Sequence, residues 1–595
     1  MSKNKKKKFQ PTSPSSSQKK KPEINSTFSN FLGSNNFYLL LLAILVLLIS
    51  SIRWRLAGMP LERDEGEYAY FGHLILNGIT PYQEAYNMKL PGIYYMYALI
   101  MAVFGESFKG IHIGLLIMNA GTMILLFSAF KKFFNPMTGL IVAGFYGLMS
   151  ITFNVLGFAA HATHFAVFYV ALSLFFLAPL FPPKGGEQIR NSLPLRGRWR
   201  GLFAFLTGTM LGMAFLMKQQ AVYFILFGGI VFVIFQFLEK PPLSLPLEQG
   251  RDVRRTKGVW RIIKHTSLFS LGVFVPYLLV VLIMLASGTF DKFWFWTVQY
   301  ASKYASGLPW SQGKDLLDMT FAPIWAEFKW IWILAIAGIV IVLFTKFSIK
   351  QKILAIVFAV FAALATTPGF YFRQHYFIVA LPAAALLASI ALDYAGRWTA
   401  EKTKIKLISI LLPLIVFIFF YNNVVSKTDW FYSAKDPVAL CKMIYGTNPF
   451  VESVEIANYI KANSSDTDKI AVLGSEPQIP FYANRKSVTG HIYTYGLMEI
   501  HEYNLKMQEE MIAEIEKAKP LFLVFCNVPF SWLSKPNSPM RIFDWYNKYA
   551  TDNYNIVGLV DIPDQGPSSY YWNADAQRQP KNKNSVWVFK RKETK

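Results

Sequence analysis

Long apolar runs separated by short polar or basic stretches dominate the chain from Phe37 to about residue 425. The runs at 37–52, 111–130, 137–156, 160–181, 201–217, 220–238, 267–287, 329–345, 353–367, 376–394 and 405–421 approach the ~20 residues needed to cross a bilayer as a helix. Another run, 91–104, is shorter than that, and its length predicts a re-entrant or tilted interfacial helix. The pattern therefore predicts a polytopic α-helical membrane protein with about eleven full crossings. After residue 425 the pattern changes. Helical periodicity at 451–462 and 498–517 alternates with short apolar runs at 470–474, 521–526, 554–561 and 585–590, which predicts a small α/β domain.

Composition fits this division. Among 595 residues, 53% are hydrophobic and 16% charged, which excludes a disordered chain, a disulfide-stapled mini-protein and a single soluble domain. Two cysteines, Cys441 and Cys526, allow one bridge at most. The net charge of +24 is concentrated in particular segments. Residues 1–36 hold Lys3, Lys5 to Lys8 and Lys19 to Lys21 against Glu23, in a Ser-, Pro- and Asn-rich context, and are expected to form a disordered cytoplasmic tail. No small-x-small cleavage site follows the first apolar run, so it reads as an uncleaved helix and not as a signal peptide. Positive-inside orientation explains the basic tail without nucleic acid. Basic loops at 182–200, 239–264, 346–352 and 397–406, with Lys131 and Lys132, fall on the same inner side.

That parity places 53–89, 288–328, 368–375 and everything after Tyr421 outside. The expected organisation is thus a tail (1–36), a membrane domain (37–424) and an extracytoplasmic domain (425–595), in a multi-pass protein of the plasma (inner) membrane with a cytoplasmic N-terminus. Ile470-Ala-Val-Leu-Gly474 resembles the first strand of a nucleotide fold, but no G-x-G-x-x-G follows and no cofactor is assigned.

The densest outer polar cluster is Leu61-Glu-Arg-Asp-Glu-Gly-Glu-Tyr-Ala-Tyr70, with Glu62, Asp64, Glu65 and Glu67 beside Arg63. It runs into a stretch whose Tyr68, Phe71, Leu74 and Ile75 form the apolar face of an interfacial helix, then into Pro81-Tyr-Gln-Glu-Ala-Tyr-Asn-Met-Lys-Leu-Pro-Gly92. A partly desolvated carboxylate at a membrane surface suits a general base. Three cations border apolar segments on the outer side: Lys89, Lys218 in Phe215-Leu-Met-Lys-Gln-Gln220, and Arg373 in Phe372-Arg-Gln-His-Tyr376. Cations near a carboxylate loop suit a lipid-linked phosphate and a hydroxyl nucleophile. His161 and His164 are spaced to meet on one helical face, where a carboxylate could complete a zinc site; substrate contacts or satisfied membrane histidines explain the pair equally well.

Asp64-Glu-Gly-Glu-Tyr-Ala-Tyr70 followed by Asn87-Met-Lys-Leu-Pro-Gly-Ile-Tyr94 resembles the first outer loop of the ArnT-like and protein-mannosyltransferase-like glycosyltransferases, GT-C fold enzymes that use polyprenyl-phosphate sugars. Leu211 to Gln220 and Phe372 to Pro382 resemble two further segments of that group, and the likeness extends over about 37–425. The resemblance implies Asp64 as general base or acceptor-positioning acid, with Glu65 beside it as a second catalytic carboxylate. It implies Lys89 as a contact to the lipid phosphate, Leu90 standing where the family has proline, with Lys218, Arg373 and His375 completing the anion site. Glu67, Tyr68, Tyr82 and Asn87 are the expected substrate contacts from the first loop, and His161, His164, Gln219 and Tyr376 those from later segments. Thr163 stands where the family often carries a second acid.

The function implied is inverting transfer of a monosaccharide from a polyprenyl-phosphate donor to a hydroxyl on a glycan, lipid or protein at the outer face of the bilayer. No cofactor is assigned and a requirement for a divalent cation is left open. A transporter, or a scaffold for polysaccharide assembly, is the alternative, since intramembrane charges often line ion pathways. A transporter would favour paired interrupted helices in two repeats, and no such pattern occurs.

Overall fold

The computed structural model describes residue 32 and residues 34–180, 198–238 and 251–593. Most of the basic tail, residues 182–197 and residues 239–250 lie outside the described residues, and 251–264, expected in the second basic loop, instead begin helix Arg251–Ala286. Among the described residues, eight helices are long and apolar enough to cross a membrane: Asn35–Leu56, Phe108–Phe133, Ala162–Leu180, Trp199–Met217, Gln219–Leu238, Gly258–Ala286, Gln374–Thr403 and Ile408–Lys427. A ninth arises if Trp310–Glu327 and Lys329–Phe344, bent by 96° at their junction, count as one span.

All eleven expected crossings are thus helical, but three fall on shorter helices: Pro136–Met149, Lys329–Phe344 and Ile349–Leu364. Local chemistry sets those lengths. Asn135 caps the N-terminus of Pro136–Met149 by accepting from the Thr138 N–H at 3.0 Å. At its other end Arg53 donates to the Ser150 and Gly157 carbonyls at 2.7 and 3.0 Å, tying down the non-helical segment that follows. The short run at 91–104 is a separate helix, Gly92–Phe104, stopped by Gly105 at φ 86°.

The C-terminal domain holds a six-stranded mixed sheet. Its strands are β1 Lys469–Leu473, β2 Lys486–Ser487, β3 Phe522–Asn527, β4 Tyr554–Ile562, β5 Ser569–Trp572 and β6 Asn584–Arg591, in the order β2-β1-β3-β6-β4-β5. β2, β1 and β3 run parallel, and the β3–β6, β6–β4 and β4–β5 pairs are antiparallel. Four strands match the expected ones within a residue or two; β2 and β5 are additional.

This domain rests directly on the membrane helices. One hydrophobic core runs from the bundle into it, through residues such as Leu473, Phe481, Ile492 and Leu497. Gly66 in helix Arg63–Leu76 permits a close approach: a Cβ there would lie 2.8 Å from the backbone nitrogen of Gln478. The Tyr86 N–H donates to the Gly490 carbonyl at 2.8 Å, and the Tyr482 hydroxyl accepts from the Leu61 N–H at 2.8 Å.

Candidate active site

The acidic loop of the sequence is the start of helix Arg63–Leu76. Glu62 caps it, and a reciprocal bond from Glu65 closes a capping box. Successive helical residues point about 100° apart, so the cluster is distributed among different surroundings. Asp64 and Glu67, three apart, share one face and one partner: Lys89 Nζ donates to Asp64 Oδ1 at 2.9 Å and to Glu67 Oε2 at 2.6 Å. Arg63 turns to the C-terminal domain. Glu65 turns into the bundle, where its Oε1 accepts from His112 Nε2 at 2.9 Å and from the Ala160 N–H.

Lys89 is fixed from several sides. Its carbonyl accepts from the Tyr82 hydroxyl at 2.6 Å, and its ammonium lies 4.8 Å from the Tyr68 ring and 5.1 Å from the Tyr493 ring. Lys218 follows the last residue of helix Arg198–Met217 in an extended conformation, and a short 3₁₀ turn, Gln219–Ala221, restarts the chain. That break brings the Lys218 ammonium to 4.5 Å from the Tyr376 ring, while Gln219 donates to the Met88 carbonyl at 2.7 Å.

Lys89, Lys218, Gln219, Tyr68 and Tyr376 line a cavity of about 420 Å³ whose remaining wall is largely apolar, with Phe215, Met217, Val222, Ala301 and Ala305. Asp64 stands behind Lys89 with its side chain 14% exposed. Burial acts to raise the Asp64 carboxyl, but Lys89, then His161 and Lys218, outweigh it and hold it well below the usual carboxylate range. Glu62 is displaced the other way, by burial and by the charges of Asp64 and Glu65. Asp64 is therefore the ionised member of the pair. Burial, against the attraction of Asp64, brings the Lys218 amine down to about 7.

The expected site residues thus separate into two groups. Asp64, Glu67, Tyr68, Lys89, Lys218, Gln219 and Tyr376 converge. Tyr82 and Asn87 act on the backbone, Tyr82 at Lys89 and Asn87 by accepting from the Met88 N–H. Glu65 is engaged by His112, so the structure gives it a buried bracing position away from the cavity. Arg373 does not line the cavity; it is exposed, 5.8 Å from the Tyr371 ring.

The two histidines do not meet as their spacing predicts, because the helix starts at Ala162 and His161 precedes it with ψ 147°. His164 is buried in the bundle. His161 instead stacks on His375, with ring centroids 4.2 Å apart. Its Nδ1 lies 3.6 Å from Glu62 Oε1 and 3.9 Å from Asp64 Oδ2. Asp64, His161 and His375 place one donor atom each within 4.8 Å of one another, and both His161 ring nitrogens are buried without a hydrogen bond. Such a set could hold a divalent cation. Thr163 is fully buried.

Sequence reasoning missed Tyr493, His112 and the His161–His375 pair. Tyr493 comes from the C-terminal domain and its hydroxyl donates to Asp64 Oδ1 at 3.2 Å.

Comparison with known proteins adds to this geometry. Residues 88–246 match the family model described as dolichyl-phosphate-mannose-protein mannosyltransferase. No curated protein matches the chain by sequence. Among solved structures, ArnT from Cupriavidus metallidurans bound to undecaprenyl phosphate is 14% identical, with a TM-score of 0.55 over 93% of this chain and 98% of that one. The oligosaccharyltransferase of Archaeoglobus fulgidus in its apo form is 12% identical, with a TM-score of 0.52 over 92% of this chain and 76% of that one. The chain is thus a multi-pass membrane protein with the GT-C fold, similar over residues 88–246 to the dolichyl-phosphate-mannose-protein mannosyltransferase family model.

Proposed function

We propose that the protein is a glycosyltransferase that takes a monosaccharide from a polyprenyl-phosphate donor and passes it, with inversion, to a hydroxyl acceptor at the outer face of the membrane. The observation that carries this reading is the cavity: two ammonium groups, Lys89 and Lys218, set in a largely apolar lining, with an ionised carboxylate directly behind Lys89. An amphiphile with an anionic head and a prenyl tail fits that distribution. The match to the mannosyltransferase family over 88–246 and the fold shared with undecaprenyl phosphate-bound ArnT support it.

In the reaction the acceptor oxygen forms a bond to the anomeric carbon as the bond from that carbon to the phosphate oxygen breaks. The acceptor proton passes to Asp64, and the departing phosphate keeps the electron pair. Lys89 serves both ends. Before the donor arrives its charge weakens Asp64 as a base. When its hydrogen bonds transfer to the phosphate, Asp64 recovers basicity and the leaving group is neutralised together with Lys218. A divalent cation at Asp64, His161 and His375 would polarise the acceptor hydroxyl, and no step above depends on one. The outer domain faces the extracytoplasmic side and the N-terminus the cytoplasm, in the plasma (inner) membrane. The acceptor is a glycan, lipid or protein.

The test is incubation of the purified protein with a panel of radiolabelled polyprenyl-phosphate hexoses and pentoses, using a membrane extract as the source of acceptor. Release of the lipid phosphate, coupled to label in a new product, supports the reading. A transporter or a scaffold would release none from any donor.

A further inference from the structure

The outer domain meets the membrane domain in an unusual way. In open α/β sheets a ligand is normally received at the carboxyl ends of the parallel strands. Here that place is filled by a side chain of the protein itself. β1 ends at Leu473 and runs into Gly474, Ser475 and Glu476, whose backbone is tied to the segment after β3 by the Ser475 N–H donating to the Ser531 carbonyl at 3.0 Å. Arg63 inserts there. It donates to the Ser475 carbonyl and to Glu476 Oε1, both at 2.6 Å, and to the Tyr495 hydroxyl at 3.0 Å. Glu476 is fully buried, so this ion pair is shielded from water along with its hydrogen bonds.

Arg63 and Asp64 are adjacent in one helix, so a grip on Arg63 fixes the direction in which Asp64 points. The same stretch of the outer domain then touches Asp64 itself. The Tyr493 hydroxyl donates to Asp64 Oδ1 at 3.2 Å, its ring lies under the Lys89 ammonium at 5.1 Å, and it packs edge-on against Tyr495 at 4.8 Å. Tyr495 is held in turn by its hydroxyl donating to the Phe530 carbonyl at 2.6 Å. Oδ1 thus has two donors, Lys89 and Tyr493. Oδ2 has none at hydrogen-bond distance among the described residues and faces His161 Nδ1 at 3.9 Å.

We infer that the outer domain is part of the active site: Arg63 lodged at the end of β1 holds it in register, and Tyr493 is a positioning residue that locks Asp64 Oδ1 so that Oδ2 is the oxygen presented to the acceptor hydroxyl. The inference rests on the reading of Asp64 as proton acceptor. It accounts for a nucleotide-like first strand without a glycine-rich loop, because the strand end receives an arginine of its own chain and not a cofactor.

The experiment uses the full-length protein carrying Tyr493→Phe, which keeps the ring beneath Lys89 and deletes only the hydroxyl. Turnover is followed with the donor panel and membrane extract described above, together with thermal unfolding. Loss of one hydrogen bond to a charged group predicts a fall in kcat of about tenfold, with the donor KM within about twofold of wild type and the unfolding temperature unchanged. Unchanged kcat overturns the inference and leaves the transferase reading standing. A rise in donor KM at constant kcat also overturns it, since that outcome assigns Tyr493 to binding. Absence of lipid release by the wild-type protein overturns both.

Discussion

Gly92 lies against Leu216 so closely that a Cβ on Gly92 would stand 2.6 Å from the Leu216 carbonyl oxygen and 2.7 Å from its Cβ. Gly92 opens the helix that follows Lys89, and Leu216 belongs to the last turn of the helix that precedes Lys218. The contact therefore sets the spacing of the two ammonium groups in the cavity. Gly92→Ala should force the helix ends apart at a cost of about 1–3 kcal/mol. The expected result is a several-fold rise in donor KM with kcat much less affected, measured by steady-state kinetics alongside thermal unfolding.

Glu65 sits beside the proposed base in sequence but braces the site from behind. Its carboxylate joins His112 to the Ala160 N–H, one residue before His161. Glu65→Ala leaves His112 Nε2 and the Ala160 N–H without their shared partner, and breaking a buried pair costs about 3–5 kcal/mol. Thermal unfolding should fall markedly, and activity should fall in step with the folded fraction. Full stability with activity lost would instead place Glu65 among the reacting groups.

Much of this site was legible because its signals are local. Asp64, Glu67 and Lys89 lie within one loop, and Lys218 is a lone cation between two apolar runs. What was not legible depends on distant segments. Tyr493 and Asp64 are 429 positions apart, Arg63 and Glu476 413, and neither pair leaves a periodic or compositional trace. The histidine pair failed for a local reason: a helical spacing rule was applied across a helix boundary that falls between His161 and Ala162. Among the strands, β4 and β6 were legible as short apolar runs, whereas β2 has two residues and pairs only at Lys469–Lys486 and Ile470–Ser487, too short to carry a pattern.

Lys218 should govern the basic limb of the pH profile. Burial first, against Asp64, lowers its amine to about 7 in the donor-free protein. Below that pH the side chain is charged and binds phosphate; above it the proton is lost and donor capture weakens. kcat/KM for the donor should therefore decline above about pH 7, while kcat, read with phosphate bound beside the ammonium, should hold to higher pH. Lys218→Arg, whose guanidinium stays charged, should move the kcat/KM limb upward. A limb unmoved by that change would remove Lys218 from phosphate capture.

The most direct measurement compares wild type with Asp64→Asn in the release of polyprenyl phosphate from a labelled polyprenyl-phosphate sugar, with each protein's folding checked by thermal unfolding. Removing a positioned base predicts a loss of ~10²-fold or more, with the unfolding temperature near that of wild type and donor binding retained through Lys89 and Lys218. Asparagine at 64 supporting release at the wild-type rate would contradict the account.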